Sequence, residues 1–118
     1  MGKTTRWIKI FESEEALHNC VPPGRIYLIQ ADRKSICIVH SKEGFYAVQE
    51  KCPHNGASLS RGWCSEVNSI VCPMHRYHFD LKTGRALSGL GDRLQTYPLK
   101  TEENGVFLGI EESGWSWW

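Results

Sequence analysis

The chain has 118 residues, of which 41% are hydrophobic, 11% aromatic and 23% charged. This is a globular composition that excludes disordered, collagen-like and low-complexity classes. Lys and Arg exceed Asp and Glu by a net charge of only +1, so no uniform field draws nucleic acid or an anionic membrane, and electrostatic choice of partner is local. A chain of this length buries roughly two thirds of its unfolded surface, enough for one core, and the sequence is read as a single domain over 1–118.

The first residues, Met1 to Trp7, lack an apolar signal core, and no apolar run approaches the roughly 20 residues of a membrane helix, so a soluble, cytoplasmic protein is expected. Gly2 does not complete a myristoylation signal, because Arg6 stands where Ser or Thr is required. Arg6 to Ile10 alternates as a strand. Ser13 to Leu17 predicts a short helical turn capped by Ser13 and stopped by Pro22-Pro23-Gly24. Arg25 to Gln30 and Ser35 to His40 form a hairpin around Ala31-Asp32-Arg33-Lys34, and Lys42-Glu43-Gly44 turns into the strand Phe45 to Val48. Between about 50 and 93 the texture changes. Pro, Gly, Cys and His become dense and strands shrink to Ser69-Ile70-Val71 and His78 to Leu81, a smaller lobe of the same domain. Leu94 to Lys100 and Val106 to Ile110 then flank a turn at Glu103-Asn104-Gly105. No helical stripe is sustained anywhere, and the fold class read from this pattern is all-β, a sandwich of antiparallel strands carrying the smaller lobe.

Five cysteines, Cys20, Cys37, Cys52, Cys64 and Cys72, are an odd number without a secretory signal, which favours metal binding or burial over a disulfide framework. Two of them belong to a pattern. Cys52-Pro53-His54 and Cys72-Pro73-Met74-His75 give Cys-x-His, seventeen intervening residues, then Cys-x-x-His. Any one of these residues alone reads as a buried Cys or a hydrogen-bonded His; four at this spacing read as a metal site. Zinc usually takes two Cys from one knuckle and two His from another. Here each loop supplies one of each. The set can therefore sort by atom type, both Cys on one iron of a binuclear cluster and both His on the other, the asymmetric ligation of a Rieske [2Fe-2S] centre.

The stretch Cys52-Pro53-His54-Asn55-Gly56-Ala57-Ser58-Leu59-Ser60-Arg61-Gly62, followed by Cys72-Pro73-Met74-His75-Arg76-Tyr77-His78-Phe79-Asp80, resembles Rieske ferredoxins and the Rieske domains of ring-hydroxylating oxygenases. The likeness is tightest over 45–88 and extends to Tyr97-Pro98-Leu99. It implies one [2Fe-2S] cluster with Cys52, His54, Cys72 and His75 as ligands, and a third loop at Gly89-Leu90-Gly91 covering it. Respiratory members carry a further Cys in each loop and join them by a disulfide; Ala57 and Met74 occupy the corresponding loops here, so that bridge does not form. Those members also place a Ser two residues after the second His, where this chain has Tyr77, and members commonly have Gly where it has Arg76. Cys64 has no counterpart and reads as a small buried apolar group. His78 competes with His75 as a ligand, and the family spacing selects His75. His18 and His40 have no cysteine nearby and read as solvated.

Ferric iron, sulfide, two thiolates and neutral imidazoles sum to zero formal charge in the oxidised centre, whereas four thiolates would make it a dianion; adding an electron therefore costs less here, and the potential rises. The electron resides mainly on the histidine-bound iron. His54 and His75 can meet an acceptor and release a proton, so the potential should fall with alkaline pH. Pro53 and Pro73 stiffen the loops. Lys51, Arg61 and Arg76 lie next to or between the ligand positions, opposed in sequence by Glu50, Glu66 and Asp92; they read first as scattered solvated charges, with a basic rim for an acidic partner as the alternative, and Trp115 to Trp118 could dock a partner or pack on the domain.

The resemblance implies a soluble one-electron carrier between a flavoprotein reductase and an oxygenase or other redox enzyme, with no catalysis of its own. The chain has no room for the two-His, one-carboxylate iron site of a terminal oxygenase. Alternatives are a fixed small subunit of a larger oxidoreductase such as a nitrite reductase, a zinc-stabilised interaction module, and, last, a redox sensor. Oligomeric state is left open. With neither the Ser donor nor the loop Cys pair, the potential is expected near the lower end of the Rieske range, about −150 mV; protein-film voltammetry checks this, and a value well above zero would reveal a compensating donor.

Overall fold

The computed structural model describes residues 3–87, 91 and 93–113. Gly89 and Leu90 of the candidate third loop, Asp92 of the rim and the Trp115 to Trp118 segment lie outside the described residues. Ten strands and one helix follow in order: β1 (Lys3–Phe11), α1 (Glu14–Cys20), β2 (Ile26–Ala31), β3 (Lys34–Ser41), β4 (Gly44–Gln49), β5 (Trp63–Cys64), β6 (Ser69–Val71), β7 (His78–Asp80), β8 (Thr96–Tyr97), β9 (Leu99–Glu102) and β10 (Gly105–Ser113). A single 3-10 turn, Leu59–Arg61, lies between β4 and β5. The strands form three antiparallel sheets ordered β1-β10-β9, β2-β3-β4-β8 and β5-β6-β7. The all-β expectation holds. No helix among the described residues is long and apolar enough to cross a membrane.

Strand β3 organises the interior. Its run Ile36-Cys37-Ile38-Val39 is fully buried, and successive side chains point to opposite faces. Ile36 and Ile38 join a first apolar cluster with Phe11, Leu17, Val106 and Leu108. Cys37 and Val39 join a second, with Val48, Leu59, Ile70 and Phe79. Burial on both faces is why the run is uninterrupted instead of alternating. Neighbouring β4 divides the same way, Ala47 to the first cluster and Val48 to the second. The chain leaving β4 is thus delivered to the second cluster, where Cys52 and Cys72 are also buried.

Local signals act as their chemistry requires. Ser13 caps α1, its hydroxyl accepting from the Ala16 N–H at 3.0 Å; the helix runs three residues past the expected turn and ends before Pro22. Leu94 to Lys100, expected as one strand, is two. Pro98 has no N–H to continue a ladder, and there the chain passes from pairing with β4 (β8) to pairing with β10 (β9), which ties the two larger sheets together. His40, read as solvated, is half-buried: its Nδ1 is 2.8 Å from the Val21 carbonyl oxygen and its ring stacks on Phe45 at 3.9 Å.

The β2–β3 hairpin and Gly84 show where the backbone carries a conformational cost or requirement. The β2–β3 hairpin turns through Asp32 (φ 53°) and Arg33 (φ 64°), both left-handed, as a two-residue turn of the favoured hairpin hand demands. Asp32 also pairs with Arg6 at 2.9 Å, and that hydrogen bond holds its carboxyl below the ordinary value. Gly84 adopts φ 80°, and a Cβ there would stand 2.0 Å from the Leu94 carbonyl oxygen. Arg33→Gly is expected to raise Tm by relieving about 1 kcal/mol of left-handed strain, whereas Gly84→Ala should lower stability by more than about 2 kcal/mol; thermal and urea unfolding of both variants measures the contrast.

Candidate metal centre

Two loops present the motif residues. The first closes on itself: the Cys52 N–H donates to the Ala57 carbonyl and the Gly56 N–H to the Cys52 carbonyl, both at 2.8 Å. Gly56 supplies the left-handed φ of 78°, and the Asn55 Oδ1 accepts from the Ala57 N–H at 2.9 Å. The second loop is pinned by the Cys72 N–H donating to the Tyr77 carbonyl at 2.8 Å. It reverses through His75 (φ 64°) and Arg76 (φ 55°). Arg76 therefore takes the left-handed conformation in which glycine would be unstrained, which accounts for the family's usual residue there. The loops are adjacent. Gly62, after the 3-10 turn, passes so near β6 that a Cβ would lie 1.8 Å from the Val71 carbonyl oxygen and 3.3 Å from Pro73 Cδ.

The four motif side chains divide by element type. Cys52 and Cys72 are buried, while His54 and His75 are exposed. Burial pushes the Cys52 thiol up; backbone N–H groups of Asn55 and His54 at its sulfur pull it down, and the neighbouring Cys72 thiol raises it again. The Cys72 thiol donates to Asn55 Oδ1 at 3.8 Å. Each sulfur thus has polar company from the first loop. Hydrogen bonds to cluster sulfur raise a reduction potential, so these backbone donors counter the loss of the Ser donor that the sequence shows at Tyr77.

Tyr77 does something else. Its ring packs on His54, with centroids 4.2 Å apart and planes at 43°. His78 is half-buried on β7 with Nδ1 2.9 Å from Ser69 Oγ, and Ser69 is in turn 2.6 Å from Ser65 Oγ, so its Nδ1 is engaged by a serine pair. Among the described residues no three His, Cys, Asp or Glu side chains converge as the shell of one metal ion. The motif instead offers two buried thiols and two exposed imidazoles. This division fits a binuclear cluster of the Rieske type, with thiolates toward the interior and imidazoles toward solvent.

The other cysteines are separate from the loops' chemistry. Cys37 is fully buried, and burial pushes its thiol up to about 12. Cys64 is half-buried and raised by burial, with its thiol 3.7 Å from the Ser65 carbonyl oxygen; its reading as a buried apolar group holds in part. Cys20 is exposed at the end of α1. Sequence reasoning missed Asn55, whose Asn-Gly pair is the available signal for a side-chain-supported turn, and the backbone donors, which leave no sequence signal.

A family model described as Rieske-like [2Fe-2S] domain matches residues 6–109. The 3-phenylpropionate/cinnamic acid dioxygenase ferredoxin subunit of Escherichia coli is 39% identical over 70 residues, 58% of this chain and 66% of that protein, just under two thirds of its length. Among solved structures, the ferredoxin of carbazole 1,9a-dioxygenase from Nocardioides aromaticivorans superposes with TM-score 0.70 at 21% identity, covering 86% of this chain and 95% of that one. A protein described as an NADH-dependent nitrite reductase small subunit from Mycobacterium tuberculosis gives TM-score 0.76 at 19% identity, covering 91% and 96%. At these identities the structural likeness is one of fold.

Thiol reactivity follows from the burial pattern. In the native, cluster-loaded protein iodoacetamide at pH 8 should label Cys20 rapidly and leave Cys37 unmodified until denaturant is added, because a group pushed up to about 12 holds almost no thiolate at that pH. Peptide mass mapping reads this directly, and labelling of Cys37 in the native state would contradict the packing of β3.

Proposed function

The chain belongs to the Rieske-like [2Fe-2S] domain family, and on that premise we propose that it is a one-electron carrier that takes an electron from a reductase and passes it to an oxygenase or another redox enzyme. We assign Cys52 and Cys72 to one iron of its [2Fe-2S] cluster and His54 and His75 to the other, and read 50–93 as the cluster-binding lobe of a single domain over 1–118. The observation that carries this reading is two buried thiols and two exposed imidazoles on adjacent loops, each closed by its own backbone hydrogen bonds.

When bound, the cluster supplies a reversible one-electron acceptor. The chain's own residues set how it works. The loops' internal hydrogen bonds keep the ligands in place in both oxidation states, which keeps reorganisation small. The second hydrophobic cluster excludes water from the sulfurs, and the backbone N–H groups of Asn55 and His54 stabilise negative charge at the Cys52 sulfur. The exposed imidazoles give the shortest contact with a partner, and Tyr77 limits the ring orientations open to His54.

A fixed small subunit of a larger oxidoreductase remains a second reading, supported by the overlay on the Mycobacterium tuberculosis protein. Size-exclusion of native extract separates the two, since a carrier elutes at the chain's own mass and a subunit elutes with its enzyme. The ligand assignment is tested by anaerobic expression with iron and sulfide analysis and electron paramagnetic resonance of the reduced protein. Wild type and His78→Ala should hold iron and sulfide in equal amounts, whereas Cys72→Ser and His75→Ala should lose the Rieske signal by at least about tenfold. Retention of the signal in His75→Ala, or its loss only in His78→Ala, would overturn the assignment; zinc without sulfide in wild type would overturn the carrier.

A further inference from the structure

The rim around the two loops combines unpaired cations with exposed apolar side chains. Lys51 directly precedes Cys52, Arg61 closes the 3-10 turn whose next residue lies against Pro73, and Arg76 follows His75; all three are exposed. None makes an ion pair among the described residues. The nearby described carboxylates are engaged: Glu66 pairs with Lys42, Glu50 accepts from Ser58, and Asp80 accepts from Thr83 and the Lys82 N–H. Among these described groups the three cations without an ion pair outnumber the two carboxylates without one, Glu50 and Asp80, which leaves positive charge in excess at the loops on a chain whose net charge is only +1.

Apolar surface gathers in the same place. Trp63, Val67, Met74 and Leu87 are 45%, 63%, 51% and 50% exposed, and they make up most of the exposed large hydrophobics among the described residues. Val67 and Leu87 line a surface pocket of about 490 Å³ with His75, Arg76, Tyr77 and His78. An apolar centre with a charged rim is the anatomy of a transient protein interface. Arg76 also holds a left-handed backbone that glycine would adopt without strain, so its side chain is retained at a local cost.

We propose that this rim docks an acidic protein face, one that presents carboxylates around an apolar centre, and that Arg61 and Arg76 with Lys51 steer it to His54 and His75. The inference rests on the carrier reading and names the charge of the partner. Complementary potentials act chiefly on encounter rate and fade with salt, because the Debye length shrinks from about 30 Å at 0.01 M to about 8 Å at 0.15 M.

The test is stopped-flow oxidation of the dithionite-reduced, cluster-loaded protein by two small acceptors of opposite charge. Each cluster gives one electron, converting ferricyanide to ferrocyanide or tris(phenanthroline)cobalt(III) to cobalt(II). The ferricyanide rate should fall roughly tenfold from low to high salt, and the cobalt rate should not fall. Poly-L-glutamate at low salt should slow the cobalt reaction by covering the rim, whereas poly-L-lysine should not. Arg61→Glu with Arg76→Glu should cut the low-salt ferricyanide rate roughly tenfold after correction for any change in potential, with Arg25→Glu as the distant control. If Arg76→Glu does not load its cluster, Lys51→Glu with Arg61→Glu carries the same comparison. A ferricyanide rate indifferent to salt, insensitivity to the rim variants, or inhibition by poly-L-lysine alone would overturn the proposal while leaving the carrier intact. Wild type without the Rieske spectrum would overturn both.

Discussion

Two-sided burial of β3 and β4 is the constraint on which the site depends. Because Cys37, Val39 and Val48 point away from the first apolar cluster, they create a second one, and Cys52, Leu59, Ile70, Cys72 and Phe79 complete it. Both loop cysteines are therefore anchored by hydrophobic packing before any metal chemistry is considered. Each buried CH₂ in such a cluster is worth about 0.8 kcal/mol. The two loops are held to the same interior cluster, and their histidines, two and three residues further along, are exposed.

That arrangement separates two demands that conflict in a simple metal site. On the proposed ligation, burial at the sulfurs makes an added electron costlier, and the backbone N–H groups of Asn55 and His54 at the Cys52 sulfur offset that cost. The imidazoles need contact with a partner, and exposure gives it. Arg76 and the exposed apolar side chains Val67 and Leu87 share the surface around His75. Structural and functional features of the second loop are one object: its reversal through two left-handed residues both pins Cys72 and turns His75 outward.

Much of this was legible in the residues. The period-two pattern and turn chemistry mark the larger strands, Ser13 marks its cap, and the paired Cys/His spacing marks the site, because each rests on local chemistry. What was not legible depends on distant partners. Pro98 splits a strand because two different neighbours, β4 and β10, compete for its flanks. His40 reads as solvated until α1 brings the Val21 carbonyl to it. Tyr77 reads as a missing donor, and only the juxtaposed loops show its ring against His54. Gly62 is an ordinary turn glycine in the sequence and a steric requirement in the fold, since β6 passes within contact distance.

The central claim is that sulfur and nitrogen ligands sort onto different irons. Electron-nuclear double resonance of the reduced protein, prepared with and without nitrogen-15 histidine, tests this most directly. The account predicts two inequivalent histidine nitrogen couplings, both changing with the isotope. A cluster signal without histidine nitrogen coupling, or with only one, would contradict it.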